Sequence, residues 1–293
     1  MGAERDTESS FLGDLLALTK PTITVTNVLM AAGGLWLSRT ELSLATVVWT
    51  LVGTALAVAA ANALNMLLER EGDGLMERTR GRPLPAGRLG AGVALGVGLG
   101  LSAGSIAALV LGTNLLTAGL GALALALYVL AYTPLKRRTP WALIVGAIPG
   151  AMPALMGWTA ARGRIEAPGL VLLGVLFLWQ LPHFIAIALL RREDYARAGI
   201  KTVPLVWGDR VARWHAAISA AALLSASLLL VPLGTAGRVY LVGASLLGAW
   251  LTVLAVQGLR ATEGRPWDRR LFFASLAYLP GWMLVTLVDR LVG

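Results

Sequence analysis

Asn62-Ala63-Leu64-Asn65-Met66-Leu67-Leu68-Glu69-Arg70-Glu71-Gly72-Asp73 closes a long apolar run, and Arg78-Thr79-Arg80-Gly81-Arg82-Pro83-Leu84-Pro85 carries it into the most densely charged part of the chain. On an α-helix Asn65, Glu69 and Asp73 stand at i, i+4 and i+8, along one face. Three oxygen-bearing side chains followed by arginines suggest a site for a hard divalent cation and a polyanion. Mg²⁺ favours carboxylate and amide oxygens and shares its shell with substrate phosphates. Arg78, Arg80 and Arg82 are suited to bidentate phosphate contact. The bland alternative is a frayed helix end with solvated charges. Against it stand the amides of Asn62 and Asn65, placed in or near hydrocarbon, where a polar group is costly unless it is used.

The rest of the chain reads as housing for that segment. It has 293 residues, 57% hydrophobic and only 14% charged, against about 25% charged in an ordinary soluble protein. With a mean hydropathy of +0.72, there is too little polar side chain to cover a globule in water, so the chain is expected to be an integral membrane protein. The absence of cysteine excludes disulfides, thiolate catalysis and Cys-ligated metals. Two histidines, His183 and His215, cannot alone build a multi-histidine metal site. Residues 1–20 lack the pattern of a cleaved signal peptide and are expected to be retained as a cytoplasmic segment. Asp6 stands where myristoylation would need Ser or Thr.

Apolar runs recur at roughly 21–38, 42–68, 90–112, 114–132, 140–160, 167–190, 212–232, 237–257 and 270–290. Most approach the ~20 residues of a spanning helix. The expected fold is therefore an all-α integral membrane bundle of nine transmembrane helices, a single domain over 21–293. The thinnest division is Leu111-Gly112-Thr113-Asn114. With the N-terminus cytoplasmic and the C-terminus outside, 20 of the 25 basic residues fall on the cytoplasmic side. That bias is the one expected of a correctly counted topology. The net charge of +9 is thus a topology signal and not a nucleic-acid surface. Thirteen of the 16 acidic residues share that side, which topology does not require, so the chemistry is expected there.

A second constellation closes the sixth run: Trp179-Gln180-Leu181-Pro182-His183-Phe184, then Arg191-Arg192-Glu193-Asp194-Tyr195, with Lys201 beyond. His183 lies about 10 Å inside Arg191 along a helix. It reads either as a ligand or polar contact for a bound group or as a hydrogen-bonded packing residue. A third group, Tyr132-Thr133-Pro134-Leu135-Lys136-Arg137-Arg138, ends the fourth run; such clusters usually mark topology or contact lipid head groups.

Asn65-x-x-x-Glu69-x-x-x-Asp73 with Arg78-Thr-x-x-Arg82-Pro-Leu-Pro resembles the first signature of the UbiA-type membrane prenyltransferases, and Tyr132 to Arg137 and Leu18-Thr19-Lys20-Pro21 resemble further segments of that family. Glu69 at the middle position, and Trp-Gln-x-Pro-His-Phe where most of the family is aspartate-rich, resemble its haem-farnesylating branch. The resemblance runs from about Leu18 to Leu205; the last three helices match mainly in number.

The resemblance implies transfer of a farnesyl group from farnesyl diphosphate to a vinyl of protohaem IX (haem B), with water added. It implies Mg²⁺ on Asn65, Glu69 and Asp73. Arg78, Arg82, Lys136 and His183 would share the catalytic work, and Asn62, Arg137, Gln180, Arg191, Asp194, Tyr195 and Lys201 would contact substrate. It also implies a bacterial inner-membrane location, surrounding lipid, and a haem A synthase as downstream partner. Two alternatives remain open: a prenyltransferase for an aromatic or chlorin acceptor, and a transporter of an anionic lipid. The nearly empty outside loops argue against the transporter.

Overall fold

A computed structural model describes residues 10–261 and 265–292. Residues 1–9, within the expected cytoplasmic segment, lie outside the described residues. Among those described, the chain is helical and without strands. Eight helices are long and apolar enough to cross a bilayer; Phe11–Leu18 and Pro21–Leu37, bent by 45° at their junction, give a ninth if taken as one span. The protein is a multi-pass integral membrane protein.

The first pair are α1 (Phe11–Leu18), capped by the Ser10 hydroxyl on Gly13 N–H, and α2 (Pro21–Leu37), where Pro21 opens the helix without needing a donor. Then α3 (Leu44–Leu75) runs 32 residues, about 48 Å at 1.5 Å per residue. It continues past the apolar run expected to end at 68, so Asn65, Glu69 and Asp73 do lie on one continuous helix. α4 (Ala91–Gly112) ends at Thr113, and Asn114 caps α5 (Leu115–Ala126) by accepting from Thr117 N–H at 2.9 Å. The thin division read in the sequence is a tight helix–helix turn with its own cap.

The fourth run is not a regular helix. Residues Leu127–Tyr132 form a π-helical turn between α5 and α6 (Thr133–Leu135). One extra residue per turn rotates the end of the span, and such turns recur at functional sites. Next come α7 (Ala142–Arg162), α8 (Ala167–Leu190), the short α9 (Arg192–Arg197) and α10 (Val203–Val206), then α11 (Gly208–Leu228), α12 (Arg238–Gln257) and α13 (Arg265–Val292). Helix α11 begins and ends four residues earlier than the 212–232 expected, because Gly208 supplies the positive φ of 83° that turns the chain out of α10.

Helices α2 to α7 and α8 to α13 pack as two groups joined by α7 against α8. Small residues set the closest crossings. A Cβ on Gly157 of α7 would land on the Ala31 carbonyl oxygen of α2, and one on Gly34 would strike the Ala154 carbonyl. Lipid tails give helices no hydrophobic reason to associate, so this close backbone approach supplies the packing. The outer surface carries large apolar side chains such as Leu99, Leu111, Val242, Leu246 and Leu291, as a lipid-facing belt requires.

Candidate active site

The charged end of α3 meets α2, the π-helical turn and the loop 76–90. Asn65 is 1% exposed and Asp73 also 1%. No orphaned polar group explains this burial, since each side chain is answered by a neighbour. Lys20 Nζ donates to Asn65 Oδ1 at 3.1 Å, and Asn65 Nδ2 donates to Thr133 Oγ1 at 3.1 Å. Thr133 donates in turn to the Tyr128 carbonyl at 2.8 Å, a bond that spans the π-helical turn. Lys136 pairs with Glu69 at 2.8 Å, its ammonium lying 4.4 Å from the Tyr132 ring centroid. Arg82 pairs with Asp73 at 2.6 Å, and Thr79 closes its loop by donating to the Asp73 carbonyl at 2.8 Å. Two carboxylates and an amide oxygen therefore stand in a row along α3, each in contact with one cation.

A cavity of about 940 Å³ opens beside this row, between α8, α9, α13 and the end of α6. That is the upper range of small-ligand sites. Six of the residues expected from sequence line it: Arg78, Lys136, Arg191, Asp194, Tyr195 and Lys201. Asn65, Glu69, Asp73 and Arg82 are not in the lining; Lys136 stands between Glu69 and the space. The loops around the cavity are clasped together. Asp194 accepts from Glu77 N–H at 3.3 Å and pairs with Arg197, while Lys201 N–H donates to the Lys136 carbonyl at 2.7 Å. The bond from Arg197, helped by the Glu77 amide, holds the Asp194 carboxyl below the usual carboxylate range.

Three expected residues are placed elsewhere. Gln180 is buried and spends its amide donors on the carbonyls of Ala147 and Leu176, each at 3.0 Å, so it ties α8 to α7 away from the cavity lining. Asn62 donates to the Thr19 carbonyl at 3.2 Å and anchors the α1–α2 break. Arg137 lies across α3 at Gly72, where any Cβ would collide with its guanidinium.

His183 is held by packing. Its ring stacks between Trp179, at 5.2 Å and 14°, and Phe272, at 5.3 Å and 21°, and its Nδ1 meets Ser275 Oγ at 2.9 Å. It faces α13, with Nε2 as the nitrogen left for a further partner. The His215 ring lies beside that of Trp207, with centroids 6.0 Å apart.

Sequence reasoning missed Lys20, Thr133 and the α13 wall. Lys20 adopts φ 46°, a left-handed conformation that costs on the order of 1 kcal/mol outside glycine. That backbone turns its ammonium toward Asn65, into a group formed with Glu69, Asp73, Arg82 and Lys136. The charge of a lysine opposite an asparagine was the available signal; its left-handed backbone was not legible.

The chain belongs to the UbiA prenyltransferase family, whose pattern it matches over residues 27–277. Solved structures share its fold. A digeranylgeranylglyceryl phosphate synthase superposes with a TM-score of 0.81 at 16% identity, covering 95% of this chain and 98% of the other. A UbiA homologue of Archaeoglobus fulgidus, bound to DMAPP and Mg²⁺, gives 0.65 at 17% identity, covering 94% and 99%. Within the family the chain is similar to protoheme IX farnesyltransferases. It is 53% identical to that of Sorangium cellulosum over 85% of this chain and 89% of the other. It is 46% identical to that of Myxococcus xanthus over 99% of both.

Proposed function

We propose that this protein transfers the farnesyl group of farnesyl diphosphate to a vinyl group of protohaem IX, with addition of water, giving haem O. The observation that carries the chemistry is the row of α3 oxygens, each in contact with a cation, beside a cavity with basic and aromatic walls. The likeness to protoheme IX farnesyltransferases along nearly the whole chain supports haem as the acceptor over an aromatic acid or a chlorin. Membership of a prenyltransferase family sets the transporter reading aside.

The donor set fits Mg²⁺: hard oxygens, two of them anionic, on successive turns of one helix. Asn65, Glu69 and Asp73 would hold the ion, which when bound would supply charge neutralisation for a diphosphate. Lys136 and Arg82, now paired with Glu69 and Asp73, would exchange those partners for diphosphate oxygens as substrate enters. Arg78 and Arg191, on the cavity wall, would add further donors. Cations fixed before the reaction stabilise charge that grows on the leaving group at little reorganisation cost. The C1–O bond of the farnesyl donor breaks with its electron pair on the diphosphate. The terminal carbon of the vinyl group then bonds to C1.

Counting α1 and α2 as one bent span gives nine crossings, with the N-terminus and this site on the cytoplasmic side, the C-terminus outside and the bacterial inner membrane as location. The positive bias of the loops supports that arrangement. Residues 21–293 would form one domain after the 1–20 segment. A haem A synthase is the natural recipient of the product, and surrounding lipid would deliver both poorly soluble substrates sideways. The test is acceptor competition: labelled farnesyl diphosphate offered with haem B and an aromatic acid. Label should pass to haem in a Mg²⁺-dependent manner; label on the aromatic acid alone would refute the assignment.

A further inference from the structure

Asp268, in the first turn of α13, is 7% exposed and lines the cavity, yet its Oδ1 is buried without a hydrogen-bond partner among the described residues. The other carboxylates on the wall, Glu77, Glu193, Asp194 and Asp209, all have partners: Asp194 is held by Arg197 and the Glu77 amide, Asp209 by Arg192, and Glu77 lies 4.0 Å from Arg197. A buried carboxylate oxygen left unpaired costs about 1–3 kcal/mol or more, so its presence calls for a use. The ordinary use would be an ion pair with Arg213. That guanidinium instead donates to the Ala261 carbonyl and lies over the Trp267 ring; its Nε is also buried without a partner, its charge acts on the Asp268 carboxylate, and among the described residues no ion pair joins the two. One turn further along α13 stands Phe272, also on the cavity wall and stacked on His183. Asp268 thus lines the cavity one helical turn from the His183–Phe272 stack, with the charges of Arg213, Asp209 and Arg192 acting on it.

We propose that Asp268 is the base that completes the hydroxyl-forming step, which rests on the farnesyl transfer to haem described above. After the new carbon–carbon bond forms, the inner carbon of the former vinyl group is electron-deficient. A water oxygen bonds to that carbon, and the water's proton passes to the Asp268 carboxylate. Without the base, the cation instead loses a proton from the adjacent carbon to the departing diphosphate, leaving an unhydrated alkene.

The test is the mass of the haem product from purified full-length protein given haem B, farnesyl diphosphate and Mg²⁺, with diphosphate release followed in parallel. Wild-type protein that yields no farnesylated haem would contradict the function and not this step. With wild type active, Asp268→Asn should still release diphosphate, while the ratio of hydrated to unhydrated product falls by about 10²-fold, the lower range for loss of a positioned base. Asp268→Glu, which keeps the carboxylate, should return the hydrated product to a major share. If Asp268→Asn does not fold, Asp268→Ser gives the same readout. An unchanged product ratio would overturn the proposal. So would loss of diphosphate release together with haem product in a folded variant, or an Asp268→Glu ratio as low as that of Asp268→Asn.

Discussion

Replacing Asp73 by asparagine separates a structural ion pair from a working ligand. The carboxylate is 1% exposed and holds Arg82 at 2.6 Å, while the Arg82 side chain remains 22% exposed. Asparagine keeps the shape and one acceptor, so Arg82 retains a neutral hydrogen bond and some access to water. A hydrogen bond to a charged group contributes about 1.5–3 kcal/mol; with that partial compensation the stability loss should be about 1–2 kcal/mol. The effect on turnover should be larger. Losing one fixed group that stabilises charge in a transition state costs about 10²–10³-fold, or roughly 3–4 kcal/mol of barrier. Product formation by mass spectrometry, run over a Mg²⁺ series and well below the unfolding midpoint, reads the second effect; thermal unfolding in detergent reads the first. A folded variant with wild-type turnover and wild-type Mg²⁺ response would refute the role given to Asp73. A rate loss no larger than the stability loss would point to packing alone.

Other expectations follow from particular contacts. Lys136→Met should cut turnover by about 10²-fold by removing a cation from the departing diphosphate, with farnesyl diphosphate affinity measured alongside; unchanged turnover would exclude it from the site. Lys20→Met should lower turnover by about tenfold or more by freeing Asn65, a fall of at least 1.4 kcal/mol in transition-state stabilisation; steady-state kinetics on the purified variant decide it. His183→Ala should change the absorption spectrum of bound haem or its affinity, and if neither moves, the ring serves only the Trp179–Phe272 stack. Gly157→Ala should cost about 1–3 kcal/mol or prevent folding, because its Cβ meets the Ala31 carbonyl and not a flexible side chain; an unfolding midpoint equal to wild type would contradict the packing described for α2 and α7.

Much of the architecture could be read from residue patterns because a bilayer leaves few options: apolar length marks spans, and basic loops set their sense. The row of Asn65, Glu69 and Asp73 was legible for the same reason, since a fixed four-residue spacing on a helix needs no tertiary information. What the pattern concealed depends on contacts between distant segments. Gln180 reads in the sequence as a polar group near the substrate; that Gly150 lets α7 approach so closely that its amide donors are spent on backbone carbonyls could not be read there. The π-helical turn at Leu127–Tyr132, which brings Thr133 to Asn65, has no distinctive composition. Asp268 and Ser275 gain their meaning only from the packing of α13 against α8, which no local spacing encodes.

The central claim is the identity of the reaction, and the mass of its product tests it most directly. Purified protein incubated with haem B, farnesyl diphosphate and Mg²⁺ should convert haem to a species heavier by one farnesyl group and one water, with release of diphosphate. Unaltered haem, after binding of both substrates has been demonstrated by titration, would contradict the account.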